Sequence, residues 1–137
     1  MRFAFGADDA NECTAAVLGA LRELGEVTVH GERRSWPDFS RDVGRAVATG
    51  AADLGVLMCW TGTGTAIAAN KVPGVRAAQA WEPWIAEHAR RWNAANVLTL
   101  SLKRTAPEVA VECVRAFAGV PAEDPDESAT IDRIRGL

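Results

Sequence analysis

Short apolar runs alternate along the chain with longer segments in which apolar residues recur every three or four positions. The short runs predict five strands, over residues 2–6, 27–29, 53–58, 75–78 and 97–100. The helical spacing predicts six helices, over residues 13–24, 38–49, 65–71, 83–92, 107–118 and 129–135. Because helices separate the strands, the pattern predicts an α/β fold, a Rossmann-like doubly wound parallel five-stranded sheet with helices on both faces.

The 137 residues are predicted to form a single domain, 1–137, because no repeat, low-complexity tract or long linker divides them. A polar stretch at 123–127 marks a break, so residues 123–137 are expected to be a short helical extension. In a parallel sheet, ligands bind beyond the carboxyl ends of the strands, where strand order reverses. If the order is 2-1-3-4-5, the loops at residues 6–9 and 59–64 face one crevice.

Composition narrows the kinds of partner and cofactor. The net charge of -3 gives no electrostatic reason to expect nucleic acid, and no apolar run is long enough to span a membrane. The three cysteines are far apart with no CxxC pair, and the two histidines are scattered, so we expect no metal and no cofactor. Sparse, reduced thiols are typical of the cytoplasm, which is the predicted location.

The stretch CWTGTGTAIAANK, residues 59–71, places a thiol at the end of the third strand, before a Gly/Thr-rich turn and a helix. The backbone N–H groups of such a turn and the helix N-terminus can bind a phosphate, a carboxylate or a developing oxyanion. No Gly-Lys-Ser/Thr follows, and a GxGxxG motif would need a glycine at Ile67, so neither nucleotide-binding motif is present. Gly/Thr turns are common after strands, which leaves an ordinary turn as the alternative.

Cys59 has two interpretations. A free cysteine at a strand end is usually a small buried hydrophobic residue. Beside a helix N-terminus, however, the pKa of a thiol can fall, and the thiolate can act as a nucleophile or as a proton-abstracting base. Cys13 and Cys113 lie in helical patterns and are predicted to be packing residues.

Several motifs are spread over nearly the whole chain. They are Gly6-x-Asp8, Trp36-Pro-Asp-Phe39, Cys59-x-Thr-Gly-x-Gly64 followed by Ile67-Ala-Ala-Asn-Lys71, Val75-Arg-Ala-Ala78, Asn93-x-x-Asn-Val-Leu98 and Pro107-Glu108. Together they resemble the ribose-5-phosphate isomerase type B and galactose-6-phosphate isomerase family. The resemblance implies aldose–ketose interconversion of a small molecule without metal, in a homodimer or dimer of dimers whose sites are shared between subunits.

The resemblance also implies roles for individual residues. Cys59 would take the proton from the carbon beside the substrate carbonyl, while the backbone amides of residues 60–65 stabilise the enediolate oxygen. Thr61 and Asn93 would orient the substrate, Asp8 would contact its hydroxyl groups, and Asp9 would be either an acid/base partner or a turn residue. The predicted catalytic residues are Cys59, Thr61 and Asp9, and the predicted substrate-binding residues are Asp8, Trp36, Trp60, Gly62, Thr63, Gly64, Thr65, Trp92, Asn93 and Lys103.

Departures from the family pattern change the expected substrate. Asp9 replaces a histidine that helps to bind phosphate, Trp92 replaces the histidine assigned to ring opening, and residues 125–130 replace phosphate-binding arginines. Each lost charge-assisted hydrogen bond costs about 1.5–3 kcal/mol. We therefore expect a non-phosphorylated or open-chain substrate, in a pocket whose apolar surface is enlarged by Trp36, Trp60 and Trp92.

Two other functions stay open on the sequence. A true sugar-phosphate isomerase could bind the phosphate with Lys103, Arg104 or Arg133 of a second copy. A non-catalytic ligand-binding protein could retain the fold without the reaction. Trp81 and Trp84 are either pocket or packing residues, and His88 either supplies a substitute imidazole or faces solvent.

Overall fold

A computed structural model describes residues 1–137. Strands and helices alternate along it in the predicted order. They are β1 (Arg2–Ala7), α1 (Glu12–Leu24), β2 (Glu26–His30), α2 (Trp36–Ala48), β3 (Leu54–Cys59), α3 (Thr63–Asn70), β4 (Ala77–Gln79), α4 (Pro83–Asn93), β5 (Val97–Ser101), α5 (Pro107–Ala118) and α6 (Ser128–Arg135), with a 3-10 turn at Pro125–Glu127. The α/β prediction is confirmed, and each element begins and ends within two residues of its predicted bounds.

The five strands form one parallel sheet in the order β2-β1-β3-β5-β4. The order 2-1-3-4-5 considered from the sequence is therefore wrong, because β5 lies between β3 and β4. All five residues of β5 are buried, whereas β4 has only three residues, each partly buried. A longer apolar strand gains more from the interior of a parallel sheet, and a short strand suits its edge.

Helices cover both faces of the sheet, as a doubly wound fold requires. On one face α2 and α3 pack over a cluster that includes Phe39, Val43 and Leu57. On the other face α1, α4 and α5 pack over a larger cluster that includes Phe3 and Phe117. None of these helices is long and apolar enough to cross a membrane.

Strand order reverses on both sides of β3. The chain runs from β1 outward to β2 before returning to β3, and it passes from β3 to the far edge at β4 before returning to β5. The loops after β1, β3 and β5 therefore lie side by side at the carboxyl edge of the sheet, where ligands of such folds bind. Cys59 is the last residue of the central one of these strands.

Gly55 in β3 allows α2 to pack closely on the sheet. A Cβ atom there would lie 2.8 Å from Val43 Cγ1 and 3.0 Å from Val97 Cγ2. We expect Gly55→Ala to lower the free energy of unfolding by about 1–3 kcal/mol, because an added methyl group overpacks this contact. Equilibrium urea unfolding measures the change.

Gly19→Ala is the matched control, because a Cβ at that position in α1 meets nothing within 4 Å. Alanine favours a helix over glycine by up to about 1 kcal/mol, so this variant is expected to be as stable as the parent chain or more stable. Equal unfolding midpoints for the two variants would contradict the close packing of α2 on β3.

Candidate active site

The Cys59 sulfur lies beneath the loop that follows β3. The residue is 5% exposed, and the Gly62 N–H donates a hydrogen bond to Sγ at 3.1 Å. The Thr65 hydroxyl oxygen lies 3.5 Å from the same sulfur and 3.2 Å from the Gly62 carbonyl oxygen. The loop therefore closes on the thiol from two sides with polar groups.

Gly62 gives the loop its shape. It precedes α3 with a φ of 79°, in the left-handed region that side chains other than glycine rarely adopt. A Cβ atom there would also lie 2.9 Å from the Leu100 carbonyl carbon. Backbone conformation and space both require glycine, and the resulting turn brings the first turn of α3 beside the thiol.

The three cysteines differ in acidity. Burial raises the pKa of Cys59. Hydrogen bonds from the Thr65 hydroxyl and from the Thr65, Gly62 and Thr61 amides lower it by more than burial raises it, so the pKa falls below its usual value. Burial raises the pKa of Cys13 and raises that of Cys113 to about 11. Cys59 is thus the thiol whose surroundings favour the thiolate.

Charged side chains of both signs lie beside the Cys59 loop. The Lys103 Nζ lies 3.9 Å from Asp9 Oδ2 and 4.5 Å from the centre of the Trp60 ring. Partial burial and the neighbouring Asp9 raise the pKa of Asp8, and Lys103 opposes that change. Asp9 also accepts the Ala10 N–H at 2.9 Å, a contact that suits its predicted role as a turn residue.

Four more predicted residues lie on this loop or at the start of an adjoining helix: Trp36, Thr61, Thr63 and Gly64. The Thr61 and Thr63 hydroxyl oxygens are 2.7 Å apart. The Trp36 ring, at the start of α2, covers Gly64 so closely that a Cβ there would lie 3.2 Å from it. Trp36 and Trp60 remain 42% and 57% exposed, so both indoles are available to a ligand.

Trp92 and Asn93 do not join this group within one chain. They end α4 at the amino edge of the sheet, where Asn93 lines a cavity with Arg76 and Ile134. A five-residue strand such as β5 separates that edge from the carboxyl edge by about 15 Å. The predicted site therefore consists of two groups at opposite edges, since helices that follow parallel strands run back to where the next strand begins.

His88 lies with tryptophans on the exposed face of α4. Its ring centroid is 4.2 Å from that of Trp84 and 4.3 Å from that of Trp92. Trp81 and Trp84 are 64% and 53% exposed, so neither is a core residue of this chain. The three rings follow the helix at i, i+4 and i+8, and the His88 Nδ1 contacts the Trp84 carbonyl oxygen at 2.8 Å.

A groove of about 530 Å³ runs along the carboxyl ends of β1 and β2. Asp8, Asp9, Asn11 and His30 line it, but Cys59 does not. The groove includes residues of the loop at 6–9 but no residue of 59–64, so it is not the shared crevice expected from the sequence, because its other wall is formed by the end of β2 and the residues after it. No three His, Cys, Asp or Glu side chains are grouped so that they could hold a metal ion.

The sequence interpretation missed two polar residues, Gln79 and Ser101. The Gln79 amide donates to the Thr61 carbonyl at 2.6 Å, and the Ser101 hydroxyl donates to the Trp60 carbonyl at 2.6 Å. Both residues end strands, which was a signal, but only the observed strand order shows that these strand ends border the Cys59 loop.

The fold and the Cys59 loop define a class of protein: an α/β sheet with an acidic thiol at its central switch point. Residues 4–134 match the Ribose/Galactose Isomerase family. The chain belongs to this family, whose members include sugar-phosphate aldose–ketose isomerases, and the resemblance noted in the sequence is confirmed.

Individual relatives give the extent of the similarity. D-erythrulose-4-phosphate isomerase of Pectobacterium atrosepticum is 35% identical over 104 residues, 76% of this chain and 68% of the relative. Ribose-5-phosphate isomerase B of Escherichia coli is 36% identical over 106 residues, 77% of this chain and 71% of the relative. The crystal structure of ribose-5-phosphate isomerase B from Mycoplasma genitalium with bound ribulose-5-phosphate has a TM-score of 0.88 at 28% identity, over 98% of this chain and 93% of that one.

Thr65→Val keeps the shape of a buried side chain but removes the hydroxyl beside Cys59. We expect the thiol pKa to rise by roughly one unit, because this hydrogen bond favours the thiolate. The pH dependence of Cys59 alkylation by iodoacetamide, followed by peptide mass spectrometry, measures the midpoint.

Thr63→Val is the control, since the Thr63 hydroxyl contacts Thr61 at 2.7 Å rather than the sulfur. Its midpoint should equal that of the parent chain. A Thr65→Val midpoint that also stays unchanged would show that the hydroxyl does not stabilise the thiolate.

Proposed function

We propose that this chain is an aldose–ketose isomerase in which Cys59 carries the proton. The observation that supports this role most directly is the set of hydrogen bonds to its sulfur, which lower the thiol pKa despite burial. A proton carrier works best when its pKa lies near the working pH, and this environment moves Cys59 in that direction. Membership of an isomerase family supports the reaction type.

In the proposed reaction, the Cys59 thiolate removes a proton from the carbon beside the carbonyl of an open-chain substrate. The electrons of the broken C–H bond form the enediolate, whose negative charge rests on the former carbonyl oxygen. The thiol then returns the proton to the neighbouring carbon, and the hydroxyl on the first carbon becomes the new carbonyl. Atoms and charge balance, and the thiolate is regenerated.

The Gly64 N–H is the best placed donor for the enediolate oxygen. It occupies the second position of α3, and it makes no hydrogen bond within the chain. Such an amide carries part of the positive charge of the helix N-terminus. The Gly62 amide is already directed at the sulfur, so the proposed oxyanion site is narrower than the 60–65 segment expected from the sequence.

The charges around Cys59 favour a substrate without phosphate. Asp8 and Asp9 border the loop. The Lys103 Nζ lies 3.9 Å from Asp9 Oδ2. A phosphate dianion beside two carboxylates would lose much of the attraction that Lys103 offers. We infer that the substrate is a short open-chain hydroxy-carbonyl compound whose hydroxyl groups hydrogen-bond to Asp8 or Asp9.

A phosphorylated substrate is the second candidate. It is favoured by the relative from Mycoplasma genitalium, whose structure contains ribulose-5-phosphate. Lys103 and Arg104 follow β5 at the same edge as Cys59 and are both exposed. Arg135, by contrast, pairs with Glu123 and Asp132 in its own chain, so it is not free to bind phosphate there.

We further propose that a second copy completes the site. Trp92 and Asn93 lie at the opposite sheet edge from Cys59, so within one chain they cannot contact a substrate held at the thiol. In a homodimer, the amino edge of one copy can face the carboxyl edge of the other. Each site would then combine Cys59 of one chain with Asn93 of the second.

Cys59→Ala is expected to lower turnover at least a hundredfold, because the reaction loses its proton carrier. The assay follows deuterium incorporation by NMR in heavy water, with erythrulose, ribose and their terminal phosphates as paired substrates. We expect faster exchange with the non-phosphorylated member of each pair, because Asp8 and Asp9 repel a phosphate dianion.

Cys13→Ala is the control, because it removes a thiol from α1 rather than from the Cys59 loop, and it should retain exchange. Full activity of Cys59→Ala would reject the thiol as base. Faster exchange with the phosphates would favour the second candidate, and no exchange with any substrate would favour the non-catalytic alternative.

Mixing two inactive variants tests the shared site. Cys59→Ala and Asn93→Ala are each expected to be inactive, but a heterodimer of the two holds one intact site. Random pairing makes half of the dimers heterodimers, so about a quarter of the parent activity should return after joint refolding. If the mixture forms dimers but no activity returns, Cys59 of one chain and Asn93 of the other do not form a shared site.

A further inference from the structure

Two side chains outside the predicted site hold the loop after β3. The Ser101 hydroxyl donates to the Trp60 carbonyl at 2.6 Å, and it accepts the Arg104 N–H at 3.0 Å. The Gln79 side-chain amide donates to the Thr61 carbonyl at 2.6 Å. Two consecutive carbonyl groups of the loop are therefore each bound by a side chain of a neighbouring strand.

The geometry of the peptide bond links these contacts to the thiol. In a trans peptide unit the C=O and N–H groups lie in one rigid plane and point in opposite directions. The Trp60 carbonyl shares its unit with the Thr61 N–H, and the Thr61 carbonyl shares its unit with the Gly62 N–H. Holding each oxygen on one side therefore directs each N–H to the other side, where the Gly62 N–H meets Cys59 Sγ at 3.1 Å.

We propose that Ser101 and Gln79 are positioning residues that aim the Thr61 and Gly62 amides at the Cys59 sulfur by holding the carbonyl ends of the same peptide units. Their effect on the thiol is independent of the reaction. Their effect on catalysis rests on the proposed function of Cys59.

The strand order makes this arrangement possible. Ser101 is the register partner of Cys59 across β3 and β5, and Gln79 is on β4, the next strand outward. A Cβ atom on Gly62 would lie 3.0 Å from Gln79 Nε2 and 3.1 Å from the Ser101 N. The loop thus lies directly on the ends of β5 and β4, and each side chain reaches a carbonyl without an intervening water.

A purely structural role would have a different consequence. Both side chains could simply satisfy carbonyl groups, as most partly buried polar groups require. Removing them would then lower stability but leave the acidity of Cys59 unchanged. The thiol pKa separates the two roles, because it depends on the direction of the amides and not on the stability of the fold.

The test compares the parent chain with Ser101→Ala, Gln79→Leu and the double variant. Iodoacetamide alkylation of Cys59 is measured against pH by peptide mass spectrometry, with Cys59→Ser as the background. We expect the thiol pKa to rise by about half a unit in each single variant and by roughly one unit in the double variant. That is a thiolate fraction about tenfold lower at neutral pH. Asp8, Asp9, Lys103 and Arg104, the charged groups on the loops after β1 and β5, are unchanged in all variants.

Thr49→Val is the matched control. It also removes a hydroxyl that donates to a backbone carbonyl, Arg45 O at 2.8 Å, but at the C-terminal end of α2, toward the opposite edge of the sheet. Its thiol pKa should equal that of the parent chain. Circular dichroism and thermal unfolding show whether each variant is folded. If Ser101→Ala does not fold, Gln79→Leu on the short edge strand decides the question.

An unchanged thiol pKa in the folded double variant, or in Gln79→Leu where only that variant folds, would overturn the proposal. The deuterium-exchange assay separates this inference from the proposed function. If the parent chain shows no isomerase activity and the variants still have a raised thiol pKa, the positioning role is supported and the proposed function is rejected. An active parent chain with an unchanged pKa in the double variant would reject the positioning role and leave the function standing.

Discussion

After β3 the chain turns back over Cys59, the last residue of that strand, and the Gly62 N–H comes to lie 3.1 Å from the Cys59 sulfur. This contact requires a left-handed residue at the start of α3, a position at which a Cβ would also collide with β5. Burial alone would make Cys59 resemble Cys113, whose pKa rises to about 11. The Thr65 hydroxyl and the backbone amides of the loop reverse that direction for Cys59, so its acidity depends on these hydrogen bonds.

The backbone conformation depends in turn on which strand lies beside β3. Because β5 takes the interior position, its last residue, Ser101, borders the loop, and the short edge strand β4 contributes Gln79. With β4 beside β3, neither side chain would occupy its present position. The same packing that buries β5 on both faces therefore supplies the polar groups that orient the loop.

The chain divides its candidate chemistry between two edges of the sheet. The carboxyl edge holds the thiol, two carboxylates and Lys103, whereas the amino edge holds Trp92 and Asn93 at the end of α4. A parallel sheet imposes this separation, because every crossover helix begins near the carboxyl edge and ends near the amino edge. Assembly of copies is the direct way to bring the edges together, which is why the proposed function includes a dimer.

The sequence by itself determined the elements, the α/β class and the Cys59 loop. Helices and strands follow from local periodicity, and the loop is one contiguous motif whose glycines and small residues restrict its conformations. The expectation of an acidic thiol also rests on a local feature, a helix N-terminus placed directly after a strand.

Only the tertiary structure decided the strand order, the roles of Gln79 and Ser101, and the separation of Asn93 from Cys59. Which strand lies next to β3 depends on how much apolar surface each candidate strand buries there. That depends on β4, β5 and the helices packed on them together, and not on either segment alone. Trp36 likewise lies over Gly64 only because α2 and α3 pack on the same face. Periodicity reports which face of a segment is apolar, but it does not report which segment lies next to it, and the surroundings of the thiol depend on that adjacency.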